Sequence, residues 1–216
     1  MIDIQKFNEA ISEFKNIENL TDFYGLSNNL IKNGFEIEGY LLFLSTWNFA
    51  RFRYAMKSFN LENFIETVEK VKPYFETIEN QSFYSINFDD HYLSIEPIYS
   101  SFSSIKGIEF TGASKLMHLM NPKIFVMWDD YIRGGKPRKD YNLLEIFNNG
   151  TLEYKKYPTN SNGYLSFLKD MQSRFRHLES LGPKLLTKSI DEFNYVYITL
   201  PLQAIGKKKK KKKQVV

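Results

Sequence analysis

The chain of 216 residues contains no cysteine. That excludes disulfides, thiolate zinc sites and iron–sulfur clusters, and it fits a reducing compartment. No basic flank followed by an apolar core opens the chain, so no secretory signal is expected. The longest apolar stretch, Gly39 to Ala50, is interrupted by Ser45, Thr46 and Asn48 and is too short and polar to span a bilayer. A cytoplasmic protein with no membrane span is the expectation. Among the three histidines no two have metal-ligand spacing, so neither metal nor cofactor is expected. No internal repeat is present.

Aromatic residues are abundant. The 19 Phe and 14 Tyr can fill a large core, and buried Tyr hydroxyls will need partners. The formal charge of +4 comes from Lys207 to Lys213; without those seven lysines the remainder carries −3. Nucleic-acid binding by the body therefore needs a local basic patch. Residues 204–216 are expected to form a disordered basic tail able to contact polyanions.

Helical patterns dominate, which predicts an all-α, multi-helix domain over 1–203, either compact or as two lobes with a cleft. Ile4, Phe7, Ile11 and Phe14 make an amphipathic first helix over 3–16. Asp22 lies in a cap preceding a second helix that stops at Asn33-Gly34. A long buried helix is predicted over 35–57, an amphipathic one from Asn60 with Pro73 kinking or restarting it, and another following Pro97. Residues 82–92 combine strand-like chemistry with turn residues. Further helices are predicted at 111–120, 129–134, 141–149, 164–181 and 185–198, the last with an extended end at Tyr195 to Leu200.

The most informative stretch is Thr111-Gly-Ala-Ser-Lys-Leu-Met-His-Leu-Met-Asn-Pro-Lys-Ile-Phe-Val-Met-Trp-Asp-Asp-Tyr-Ile-Arg133. Thr111 reads as a cap and Lys115 as a residue of the first helical turn. The helix dipole and apolar neighbours there favour the neutral amine, the form a Schiff-base nucleophile requires. A solvated surface lysine is the alternative. Asp129 and Asp130 follow the apolar run 124–128; one of the two suits an N-cap for Tyr131-Ile132-Arg133, and the other is free to enter a cleft, take a proton or stabilise a developing cation. His118 shares the Lys115 face and is either a proton shuttle or a core histidine. Arg51 and Arg53, and the loop Arg133-Gly-Gly-Lys136-Pro-Arg138-Lys139, are candidate phosphate binders, with solvated charge as the alternative.

At these residues the chain resembles the helix–hairpin–helix superfamily of DNA glycosylases, in particular its archaeal 8-oxoguanine branch. The similar segment is 105–134. Gly112 with Ser114-Lys115 resembles the hairpin opening, and Val126-Met-Trp-Asp129 followed by Tyr131-Ile132-Arg133 resembles the aspartate segment. The usual hairpin, Leu-Pro-Gly-Val-Gly, has two glycines where Glu109-Phe-Thr-Gly-Ala-Ser has one. The resemblance implies a DNA glycosylase/lyase of base-excision repair. Lys115 and Asp129 would be catalytic, His118 and Asp130 accessory, and Trp128, Phe125 or Trp47 would stack on an extruded base. The alternative is a non-catalytic helical module that binds nucleic acid or a protein partner, such as a subunit of a repair or defence complex.

Overall fold

A computed structural model describes residues 2–18, 22–135, 155–178 and 185–204, the side chains of 18, 50 and 51 excepted. Among these residues the architecture is all-α, with no strand. The helices are α1 (Ile4–Glu18), α2 (Phe23–Lys32), α3 (Glu36–Trp47), α4 (Phe49–Ala55), α5 (Leu61–Glu76), α6 (Tyr92–Ser103), α7 (Glu109–Met120), α8 (Ser161–Phe175) and α9 (Leu186–Asn194). The predicted helix at 141–149 and the basic tail lie outside the described residues. No helix among the described residues is long and apolar enough to cross a membrane.

The core is one continuous apolar cluster drawing on every helix. α7 runs through it: Thr111 to Leu119 are all buried. α6 packs against α5, α7 and α8, α3 against α2 and α7, and α1 against α9. In α1 Phe7, Ala10 and Phe14 face the core, whereas Ile4 is exposed. Asp22 caps α2 by accepting the Gly25 N–H, as the sequence suggested.

Four expectations change. The predicted long helix over 35–57 breaks at Asn48, whose amide donates to the backbone carbonyls of Gly107 and Ile108 at 2.9 and 3.3 Å. The side chain thereby satisfies a distant turn, and the chain restarts as α4. Pro73 and Pro97 both lie inside helices, α5 and α6, so neither marks a start. Residues 129–134 form hydrogen-bonded turns rather than a helix. Tyr195–Thr199 is a π-helical segment continuing α9, not an extended end.

The turn between α6 and α7 spans 104–108. Gly107 takes φ +93°, and a Cβ there would meet the Ala55 Cβ at 2.4 Å, so α4 closes over it. Glu109 then enters α7 with φ 48°, a left-handed position that non-glycine residues seldom occupy.

After α7, the run Ile124 to Trp128 is threaded through the core with every side chain buried. Its polar backbone is met by side chains. Tyr164 donates its hydroxyl to the Val126 carbonyl at 2.8 Å, and the Trp128 N–H donates to Ser114 Oγ at 3.2 Å. An internal extended segment is tolerated only with such partners.

Candidate functional site

Lys115 lies in the second turn of α7, not the first. The helix begins at Glu109, so Thr111 is inside it and does not cap it. The residue is 7% exposed, and its amine donates to the backbone carbonyl of Trp47, the last residue of α3. Burial pulls the Lys115 pKa down to about 8; the carboxylates of Asp129 and Asp191 oppose the shift and the charge of Lys188 adds to it.

Asp129 ends the threaded run. Its Oδ1 accepts the N–H groups of Tyr131 and Ile132, both at 2.7 Å, and its Oδ2 accepts the Thr199 hydroxyl at 2.8 Å. The residue is half-buried and its carboxyl points inward onto these donors. Burial raises its pKa against the pull of those hydrogen bonds and of the Lys115 charge. Amine and acid therefore sit close enough for each to bias the other's proton.

α9 brings a second set of charges to the same place. Thr187, Lys188, Ser189, Asp191, Glu192 and Asn194 are all buried, an unusual density of polar groups for one helix. Lys188 Nζ lies 3.0 Å from Glu192 Oε1 and 3.7 Å from Asp191 Oδ2 without a well-directed hydrogen bond to either. It also sits over the rings of Trp47, Phe14 and Tyr24 at 4.5, 4.6 and 5.2 Å. Those faces offset part of its lost hydration. Asp191 Oδ2 is buried without a hydrogen-bond partner, and burial, against the pull of Lys188 and Lys115, leaves its pKa at about 6. Buried, incompletely paired charges of this kind add little stability and concentrate at functional sites.

His118 is fully buried. Its Nδ1 lies 2.6 Å from the Phe125 carbonyl and its Nε2 3.0 Å from the Tyr24 hydroxyl. A carbonyl can only accept, so Nδ1 carries the hydrogen and Nε2 accepts from Tyr24. Burial pushes its pKa down to about 3, outweighing the Phe125 bond. The ring is a neutral brace between α2, α7 and the threaded run, with no opening through which to shuttle protons.

The other expected residues scatter. Trp128 and Phe125 are fully buried: Trp128 packs on Tyr99, Tyr157, Tyr164 and Phe167, and its indole N–H donates to Phe110 O at 3.0 Å. Neither ring offers a face to an extruded base. Trp47 is half-buried and stacks on Phe43. Asp130 pairs with Arg133. Arg133 also lies 4.6 Å over the Phe110 ring and donates to the Tyr157 carbonyl at 3.3 Å, so it serves the fold rather than standing free for phosphate. Arg53 is exposed. Lys136, Arg138, Lys139 and the side chain of Arg51 lie outside the described residues. No group of three or more His, Asp or Glu among the described residues is arranged to hold a metal ion.

Sequence reading missed Lys188, Asp191 and Glu192. Their spacing of three and four matches an ordinary solvated ion-pair face. The available clue was Ile190 and Phe193 set among the charges of the predicted last helix.

No protein-family model, curated protein or solved structure matches the chain.

Proposed function

We propose that the chain acts on DNA as a base-excision glycosylase/lyase, with Lys115 as nucleophile and Asp129 as the acid that balances charge. One observation carries the reading: a buried amine with a pKa near 8 lies within electrostatic reach of Asp129, whose carboxyl is raised by burial and which keeps some exposure. Such an amine is neutral often enough near pH 7.5 to attack carbon.

The target nucleotide leaves the helical stack before the chemistry. The neutral Lys115 nitrogen bonds to the sugar C1′ as the bond to the base breaks; the base departs with the electron pair and takes up the proton that the nitrogen gives up. Asp129 stabilises the positive charge developing on the sugar. Ring opening then leaves an imine on Lys115, from which the strand can be cleaved. Reaching the amine requires its bond to the Trp47 carbonyl to open.

Borohydride trapping tests this. Reduction in the presence of an oligonucleotide with an abasic site is expected to leave a covalent adduct that Lys115→Ala loses. Absence of an adduct across several lesions would overturn the catalytic reading.

A second reading, a helical binding module without chemistry, is favoured by Asp129 itself. Both of its oxygens are taken by donors within the fold, as for a purely structural cap. Under that reading Lys115→Ala leaves DNA binding intact and changes only stability.

A further inference from the structure

α4 presents an exposed face that the amine–carboxylate site does not use. Phe52 and Ala55 hold the helix to the core, while Phe49, Tyr54 and Met56 are 55%, 86% and 56% exposed. The Arg53 guanidinium lies 5.6 Å from the centre of the Phe49 ring. Lys57, just past the end of α4, and Lys106 are both exposed, Lys106 in the turn whose Gly107 packs against Ala55 of the same helix. From Gly39 to Leu61 the chain has no acidic residue, although the body as a whole is acidic. The face is also tied to the site. Trp47, which holds the Lys115 amine, lies two residues before Phe49, and Asn48 between them bonds the α6–α7 turn.

We propose that this face of α4 binds single-stranded DNA, with Phe49 and Tyr54 stacking on unpaired bases and Arg53, Lys57 and Lys106 contacting phosphates. Exposed rings interleaved with cations are the recurring platform for unpaired strands, because every base has a π-face and every linkage a charge. An apolar protein partner would leave three cations to desolvate, and a lipid surface would find too short an apolar stripe to insert. The choice of DNA rests on the function proposed above, but the surface does not depend on the chemistry at Lys115.

The test uses the full chain and two oligonucleotides of equal length, one with bases and one built from abasic sugar-phosphates. The seven lysines at 207–213 offer charge but no ring to stack on a base, so any contribution from them is the same for both strands. By fluorescence anisotropy the protein is expected to bind the base-bearing strand about tenfold or more tighter than the abasic one, as expected for one or two stacked bases. Phe49→Ala with Tyr54→Ala should bring that ratio to about one, while Tyr54→Phe should keep it. Replacing Arg53, Lys57 and Lys106 by Gln should flatten the slope of log Kd against log salt by roughly 2, at about 0.7 per phosphate contact. The proposal is overturned by a ratio near one in the unmodified protein, by a ratio that survives the double alanine variant, or by loss in that variant of binding to anionic phospholipid vesicles alone. Retained borohydride trapping with no base-dependent binding would sink this surface and leave the Lys115 chemistry standing; the reverse outcome would do the opposite.

Discussion

The Lys115 amine donates to the backbone carbonyl of Trp47, 68 residues earlier in the chain. That bond joins the end of α3 to the middle of α7. It holds the one lysine of α7 inside the protein, where its proton is loosely bound.

Replacing that amine with an apolar side chain of similar length separates function from stability. Lys115→Met should lose all borohydride adduct yet fold at least as stably near neutral pH. In the wild type the folded pKa of about 8 lies below the unfolded value near 10.5, so the unfolded chain binds more protons in between. Wild-type stability therefore rises across pH 8 to 10.5, and the cost of burying the amine is fully present below pH 8. Urea titrations at pH 7 and pH 10.5 should show the variant's advantage shrinking by on the order of 3 kcal/mol. A variant markedly less stable at pH 7 would contradict this.

Two substitutions at Asp129 should part company. Asp129→Asn keeps an oxygen for the Tyr131 and Ile132 N–H groups, and Asp129→Ala does not. Both should abolish trapping. Only the alanine variant should lose about 1–2 kcal/mol in denaturant unfolding, the usual cost of a missing cap.

His118 should remain neutral well into acid. Its folded pKa of about 3 lies below the unfolded value of 6.5, so the unfolded chain takes up a proton first and stability falls as pH drops from 6.5 towards 3. Asp191 acts in the opposite sense: its folded pKa of about 6 exceeds the unfolded 3.8, so folding gains as pH falls through that window. Imidazole NMR shifts read the first directly. A His118 resonance titrating near pH 6.5 in the folded protein would refute the buried, neutral assignment.

Gly107 and Gly34 both have positive φ, +93° and +87°, but in different surroundings. A methyl group at Gly34 meets nothing within 4 Å, so Gly34→Ala should cost about 1 kcal/mol of backbone strain. At Gly107 the methyl would collide with Ala55 as well, and Gly107→Ala should cost about 2–3 kcal/mol. Thermal unfolding of the two variants checks the order.

Local pattern gave away most of the helices. The alternation of Phe7 and Phe14 with charges, Asp22 as a cap and Asn33-Gly34 as a stop are short-range signals, and each is present in the structure. The break at Asn48 was hidden because its cause, the carbonyls of Gly107 and Ile108, lies 59 and 60 residues away. The same holds at the site. Lys115 and Asp129 stood out because an apolar segment joins them, whereas Lys188, Asp191 and Glu192 have the spacing of a solvated helix face. Lys188 is covered by Phe14, Tyr24 and Trp47 of α1, α2 and α3, and no window of a few residues carries that information. Trp128 and Phe125 were read as binding groups because aromatic side chains serve equally as core and as contact surface; only the tertiary packing distinguishes the two.

The wide helical turn at Tyr195–Thr199 delivers a hydroxyl to Asp129 from the far end of the chain. Removing one residue from that turn would return the backbone to ordinary winding and swing Thr199 about 100° around the helix axis. One carboxylate oxygen is thus held by the turns that directly follow Asp129, and the other by a hydroxyl 70 residues away in sequence. A nascent chain ending before residue 195 would already hold Lys115, Asp129 and Lys188, yet without Thr199 for the second oxygen.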